Sequence, residues 1–322
     1  MIENEPDLSP ESDKLVGKPS AALPEPNKGE PELVVTATPE AAAREAAEHI
    51  AAVLIAAVER RGRADFCTTG GNTPIPIYRL LAQAPLCDSI PWPQVHFWWG
   101  DDRFVPRGDP ESNVTALDDV LLGGGGIAAG GGAGGVAGGG GIAAGGGVAA
   151  GGGIAGVGAA MAGAPLPSAN IHPFPTDLAL AEFRDNRWCA ARYAEEMATQ
   201  VPLADGNWPG FDLILVGVGD DGHVLSCFPD SPALDSMAWT LGVPAPTHIE
   251  PHLPRVTINP RLLEAAPVLV VSWGANKAEA VGHVFGDTRD DRRWPVQRTR
   301  RTGAAWIVDE AAASQIPARR RG

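Results

Sequence analysis

The stretch Phe211-Asp212-Leu213-Ile214-Leu215-Val216-Gly217-Val218-Gly219-Asp220-Asp221-Gly222-His223 decides how this chain is read. Leu213 to Val216 have the continuous apolar character of a parallel strand buried on both faces. The glycines that follow let the backbone turn sharply. In open α/β sheets, ligands bind at the carboxyl ends of the strands. The turn therefore delivers His223, with Asp221 two residues before it, to an expected crevice. A histidine there is suited to proton transfer near neutral pH.

Working outward, strands and helices alternate. Strands are expected at Leu33–Thr36, Ala64–Thr68, Val95–Trp99, Arg255–Ile258, Val268–Trp273 and Ala304–Val308, besides 211–216. Helices are expected from Pro39 to about Arg61, Pro74 to about Ala82, Glu111–Leu122, Leu178–Gln200, Pro260–Ala265 and Ala275–Phe285, and Asp309–Ala313 follows the last strand. This order implies an α/β fold: a doubly wound, mostly parallel, Rossmann-like sheet with helices on both faces.

Residues 123–163 interrupt the pattern. Twenty-two of these 41 residues are glycine and the rest are Ala, Val, Ile or Met. That much glycine makes regular structure entropically costly, so the segment reads as a low-complexity insertion. Residues 1–31 are rich in Pro, Glu, Ser and Lys and read as a disordered acidic tail; 318–322 read as a short, basic, frayed end. One α/β domain over 32–317, split by the insertion, is the expected organisation.

Composition narrows the function. A net charge of -14 argues against nucleic acid and anionic membranes as partners. No apolar run has the length and composition of a membrane span, and the acidic Met1–Glu5 start does not read as a secretory signal. Cys67, Cys87, Cys189 and Cys227 are scattered without a CxxC pair. That spacing suits a reducing cytoplasm and suggests neither a metal site nor disulfides.

Four loops at strand ends carry candidate chemistry. Gly70-Gly71-Asn72-Thr73 precedes Pro74, where backbone N–H groups at a helix N-terminus can face an anion. The same residues also make a plain turn with Thr73 as N-cap and Pro74 at N1. Asp101-Asp102-Arg103, with Ser112-Asn113 after it, offers an arginine for a phosphate or carboxylate, or a surface ion pair. The third loop formally matches GxGxxG, but Asp220 and Asp221 inside it would repel a pyrophosphate, and it does not follow the first strand. Arg255 and Lys277 each add a cation at a strand or loop end. Lys277 is the only lysine beyond the N-terminal tail.

In this order the segments resemble the 6-phosphogluconolactonases, which share a fold with glucosamine-6-phosphate deaminases. The resemblance runs from about Val34 to Ala313 outside the insertion. It rests on Gly70–Pro74, Asp101-Asp102-Arg103 with Ser112-Asn113, the Gly217–His223 loop with Ser226 and Phe228-Pro229, Arg255-Val256-Thr257, and Gly274–Lys277. Departures are Asn72-Thr73 where the family has Ser-Thr, Asp102 where Glu is common, Asp220 where proline is common, and Val224-Leu225 where Thr-Ala is common. The deaminases typically carry Asn-Glu-Pro after the histidine, where this chain has Phe228-Pro229-Asp230.

The resemblance implies hydrolysis of 6-phosphogluconolactone in the oxidative pentose phosphate pathway, without cofactor or metal. His223 would be the base, Asp221 its support, and the substrate a small sugar phosphate. Gly70, Gly71, Asn72, Thr73, Arg103, Arg255 and Lys277 would bind that phosphate. The alternatives are a glucosamine-6-phosphate deaminase and a sugar-phosphate-binding protein without turnover. The chain as read leaves the oligomeric state open.

Overall fold

The computed structural model describes residues 29–122, 163–204 and 208–321. The expected insertion and residues 1–28 of the expected tail lie outside the described residues, apart from Gly163.

Seven strands form one sheet in which every pairing is parallel. They are β1 (Glu32–Thr36), β2 (Ala64–Thr68), β3 (Val95–Trp99), β5 (Ile171–His172), β6 (Leu213–Val216), β9 (Val268–Ser272) and β10 (Ala304–Asp309), in the order β1-β10-β9-β6-β2-β3-β5. Every residue of β2, β6, β9 and β10 is buried, so both faces of the sheet centre are covered, as their apolar runs demand. From β2 the chain winds outward through β3 to β5, then returns to β6 on the other side of β2 and winds the opposite way. The reversal falls between β2 and β6, which opens a crevice between their C-terminal loops.

Helix α1 (Pro39–Arg61) packs across the sheet. Thr38 caps it by accepting the Ala41 N–H, Pro39 sits at its first turn, and Gly62 ends it in the left-handed conformation. Its buried stripe is mostly alanine, from Ala42 through Ala57, with Ile50 and Leu54, so the helix axis lies close to the strands. Helix α2 (Pro74–Leu81) packs beside it, together with a short α3 (Leu86–Ser89).

Three expectations change. The helix expected over Glu111–Leu122 starts only near Thr115 and includes a π turn at Leu117–Leu121, because Ser112 and the Asn113 N–H turn back to bind Asp102. The helix expected over Leu178–Gln200 is two: α4 (Thr176–Ala181) and α5 (Asn186–Gln200). Phe183 breaks it with φ 55°, and Asp185 caps α5 by accepting the Trp188 N–H. The C-terminal end is held rather than frayed. Residues Ala318–Arg320 form a 3-10 turn, Arg320 pairs with Glu30 at 2.6 Å, and Arg321 donates to the Ile316 carbonyl. Helices α6 (Leu262–Ala265) and α7 (Ala278–Phe285) lie within the spans expected for them.

A second sheet appears that periodicity did not suggest. β4 (Asp101–Arg103), β8 (Arg255–Ile258) and β7 (Thr240–Val243) pair antiparallel, with β8 central. Strand β4 follows β3 after the single residue Gly100, so the small sheet stands directly above the carboxyl ends of the large one.

Candidate active site

The crevice between the β2 and β6 loops is a small cleft of about 180 Å³. It is lined by Thr69, Gly70, Gly71 and Thr73 from the β2 loop, and by Gly217, Val218, Gly219 and His223 from the β6 loop. Asp101 and Arg103 reach it from β4, Arg255 from β8, and Asn113, Leu225 and Lys277 complete it. Six segments, spread from Thr69 to Lys277, thus converge above one topological feature.

The β6 loop is built around its histidine. The Gly219 N–H donates to the His223 carbonyl at 2.9 Å, and the Gly222 N–H to the Gly219 carbonyl at 2.9 Å. A Cβ on residue 219 would lie 1.9 Å from His223 Nδ1, so only glycine lets the imidazole fold back against the turn. Gly222 has φ +84°, and a Cβ there would also strike the Trp294 ring. The segment containing Trp294 holds the loop from outside: the Val296 N–H donates to the Gly222 carbonyl and Arg293 Nη1 donates to the Asp221 carbonyl.

Asp221 does not line the cleft; it stands behind His223. Its Oδ1 accepts the His223 backbone N–H at 3.0 Å and lies 2.6 Å from His223 Nδ1. Burial opposes the charge of this carboxyl, but the hydrogen bond and charge of His223, with a further bond from His248, together hold it far below the usual carboxylate range. Asp221 is therefore ionised and can only accept. Nδ1 carries the hydrogen toward Asp221, and Nε2 is left as the basic nitrogen.

The cations form the second half of the site. Arg103 and Arg255 are direct cross-strand partners in the β4–β8 ladder. Like charges placed this way destabilise a sheet unless something sits between them. Arg255 is only 5% exposed, and its Nε has no hydrogen-bond partner. Burial, and then the neighbouring Arg103 charge, lower its pKa. Arg103 Nη1 donates to the Glu111 carbonyl at 2.6 Å. A buried, under-bonded arginine beside a second arginine on one wall of a cleft is the arrangement an anion would relieve. Thr73 makes no side-chain capping bond to α2, so its hydroxyl is not spent on the helix.

Lys277 lies at the rim and pairs with Asp220. Asn276 Nδ2 also donates to Asp220, at 3.0 Å. The Asp220 carboxyl is thereby held below its ordinary range, these contacts outweighing its partial burial. Asp220 thereby ties Lys277 and Asn276 to the loop that carries His223.

Asp101 and Asp102 point to opposite tasks. Asp101 lines the cleft and accepts the Ser226 hydroxyl at 2.7 Å. Asp102 is buried and accepts the Asn113 and Arg103 N–H groups and the Ser112 hydroxyl. Burial pushes its carboxyl up to about 7 despite those donors. It is a structural anchor for the cleft wall.

Of the residues singled out in the chain, Gly70, Gly71, Thr73, Arg103, Arg255, Lys277 and His223 meet in the cleft. Asn72 faces an adjoining recess, shared with Gly71 and Arg103 and walled by Glu111, Thr115 and Asp119. Asn113, marked in the sequence as part of Ser112-Asn113, joins the cleft with Leu225, while His248 joins its support without a signal in sequence that distinguishes it from an ordinary loop residue. Among the described residues no cluster of three His, Cys, Asp or Glu is arranged to hold a metal ion. No described helix is long and apolar enough to cross a membrane.

A family model described as glucosamine-6-phosphate isomerases/6-phosphogluconolactonase matches residues 37–130 and 157–308. The 6-phosphogluconolactonase of Synechocystis sp. is 30% identical over 269 residues, covering 81% of this chain and 88% of the relative. That of Streptomyces coelicolor is 30% identical over 299 residues, covering 89% and 95%. Among solved structures, 6-phosphogluconolactonase from Trypanosoma brucei superposes with a TM-score of 0.68 at 22% identity, covering 90% of this chain and all of that one. This last likeness speaks to the fold alone.

Proposed function

The chain belongs to the glucosamine-6-phosphate isomerases/6-phosphogluconolactonase family, and on that premise we propose that it hydrolyses 6-phosphogluconolactone to 6-phosphogluconate. The observation that carries the reading is the convergence on one small cleft of a carboxylate-backed histidine and a buried, under-bonded arginine set beside a second arginine.

In the proposed mechanism a water attacks the lactone carbonyl while His223 Nε2 takes its proton. Asp221 stabilises the imidazolium that forms, through the Nδ1 hydrogen bond. The tetrahedral intermediate then collapses. The bond from the carbonyl carbon to the ring oxygen breaks, and Nε2–H returns the proton to that oxygen. The products are a carboxylic acid, ionised at neutral pH, and a free hydroxyl. Arg103 and Arg255 are proposed to hold the phosphate, with Gly70, Gly71 and Thr73 beside it and Lys277 closing the rim. Asn72, placed in the adjoining recess, is assigned no contact with the phosphate.

The partner is thus a small sugar phosphate, and the net charge of -14 disfavours nucleic acid. We place the reaction in the cytoplasm, a reading supported by four free cysteines. The test follows the disappearance of freshly generated 6-phosphogluconolactone above its spontaneous rate. Wild type should accelerate it, and a folded His223→Ala should not. Equal rates for the two would remove His223 as the base, and no acceleration by wild type would end the lactonase reading.

A further inference from the structure

We propose that His248 is a positioning residue for this reaction: it fixes the carboxylate that orients the catalytic imidazole. The inference rests on the lactonase reading for its activity arm, but its geometry stands on its own.

His223 uses only one oxygen of Asp221. Both the His223 N–H and Nδ1 meet Oδ1, at 3.0 and 2.6 Å. The other oxygen, Oδ2, is 3.0 Å from His248 Nε2. Because the carboxyl is ionised, His248 Nε2–H must be the donor. A carboxylate held through one oxygen can still rotate about its Cβ–Cγ bond, which would swing Oδ1 off the imidazole. A second donor on Oδ2 removes that freedom. Asp221 is thus bridged between two histidines, one reacting and one holding.

Packing supports the same arrangement. Phe228 packs against both rings, 4.8 Å from His223 and 5.5 Å from His248, edge-to-face with the latter. His248 sits on the connection between β7 and β8, and that connection is tied down. His252 Nδ1 lies 2.7 Å from the Pro246 carbonyl, within hydrogen-bond reach, and Arg255 Nη2 donates to the Pro251 carbonyl at 3.1 Å. The loop that presents His248 is therefore braced by the same arginine that faces the proposed phosphate.

His248 side-chain exposure is 51%, so substitution there should leave the fold intact. The experiment compares full-length wild type, His248→Ala and His248→Gln. It reads kcat and KM on the lactone, and the His223 ring nitrogens by long-range 1H–15N NMR. Glutamine can still place an amide donor near Oδ2; alanine cannot. The alanine variant should lose about tenfold in kcat with little change in KM, the scale of losing one outer hydrogen bond to a reacting group. Its His223 spectrum should show a growing share of the Nε2–H tautomer. Glutamine should restore most of both. Wild-type kcat and an unchanged His223 spectrum in the alanine variant would overturn the proposal. So would equal losses in the two variants, which would assign His248 to packing on Phe228. If wild type itself lacks lactonase activity, the functional reading fails while the ring spectra still decide the positioning role.

Discussion

Replacing Arg255 with methionine should stabilise the unliganded protein while weakening its grip on substrate. Arg255 is 5% exposed, its Nε lacks a partner, and it stands opposite Arg103 in the ladder. Two unit charges roughly 8 Å apart at an effective dielectric near 20 repel by about 2 kcal/mol. The unpartnered buried donor costs about 1–3 kcal/mol more. Against this stand the bond from Nη2 to the Pro251 carbonyl, worth about 1 kcal/mol, and the attraction of Asp101, Asp102 and Glu111, worth about 1 kcal/mol more. Methionine keeps most of the volume, so the net gain should be about 1–3 kcal/mol, or a Tm higher by about 3–8 °C in a domain of this size. Loss of charge-assisted contacts to phosphate should raise KM by roughly 10- to 100-fold. Arg103→Met should stabilise less, because Arg103 already has the Glu111 carbonyl as partner. Thermal unfolding with and without inorganic phosphate, alongside lactone kinetics, measures both sides. Phosphate should protect wild type and not the variant. A variant that melts earlier without phosphate and keeps its KM would refute the reasoning and make the arginine pair structural.

Three further outcomes follow from the geometry. Asp221→Asn should cut kcat by about 10²–10⁴ with KM nearly unchanged, because an amide no longer selects the Nδ1–H tautomer; steady-state kinetics with full activity retained would contradict the assigned role. Gly219→Ala should abolish most activity while the protein still folds, since the new Cβ would lie 1.9 Å from His223 Nδ1; the check is circular dichroism beside turnover, and a fully active variant would mean that the imidazole does not rest on the turn. Asp102→Asn should change how stability depends on pH. The folded carboxyl is raised to about 7 by burial, whereas the unfolded one titrates near 3.8, so the folded state holds the extra proton between those values. Wild type should then lose stability relative to the variant as pH rises through that window, by up to about 1.4 kcal/mol per pH unit. Urea unfolding from pH 4 to 8 measures it, and a pH-independent difference would show that Asp102 titrates normally.

Local signals in the chain carried much of the fold. Helix α1 was legible because Pro39 suits a first turn and the stretch after it is rich in alanine; the structure then shows Thr38 and Gly62 closing its ends. The apolar runs of β6, β9 and β10 read as buried strands because no polar residue interrupts them. Residues 178–200 were different: they read as one helix, but the positive φ at Phe183 and the extended Asp185, which caps α5, separate α4 from α5. The small sheet was illegible for another reason. A three-residue strand such as Asp101–Arg103 has no periodicity to detect, and its partner lies about 150 positions away.

The site divides in the same way. Sequence by itself determined which groups are chemically able: a histidine two residues from a carboxylate after a buried strand, glycines that permit the turn, and a few cations at strand ends. Those properties are local, set by side-chain chemistry and by the backbone freedom of a handful of residues. Only the tertiary structure decided which of them meet. The sheet order reverses between β2 and β6, and β4 and β8 pair above that point, so Arg103 and Arg255 are placed face to face across from His223. The same packing sends Asn72 into the neighbouring recess and brings His248 onto Asp221. Contacts between residues far apart in the chain depend on how whole elements pack, and no stretch of the chain encodes that alone.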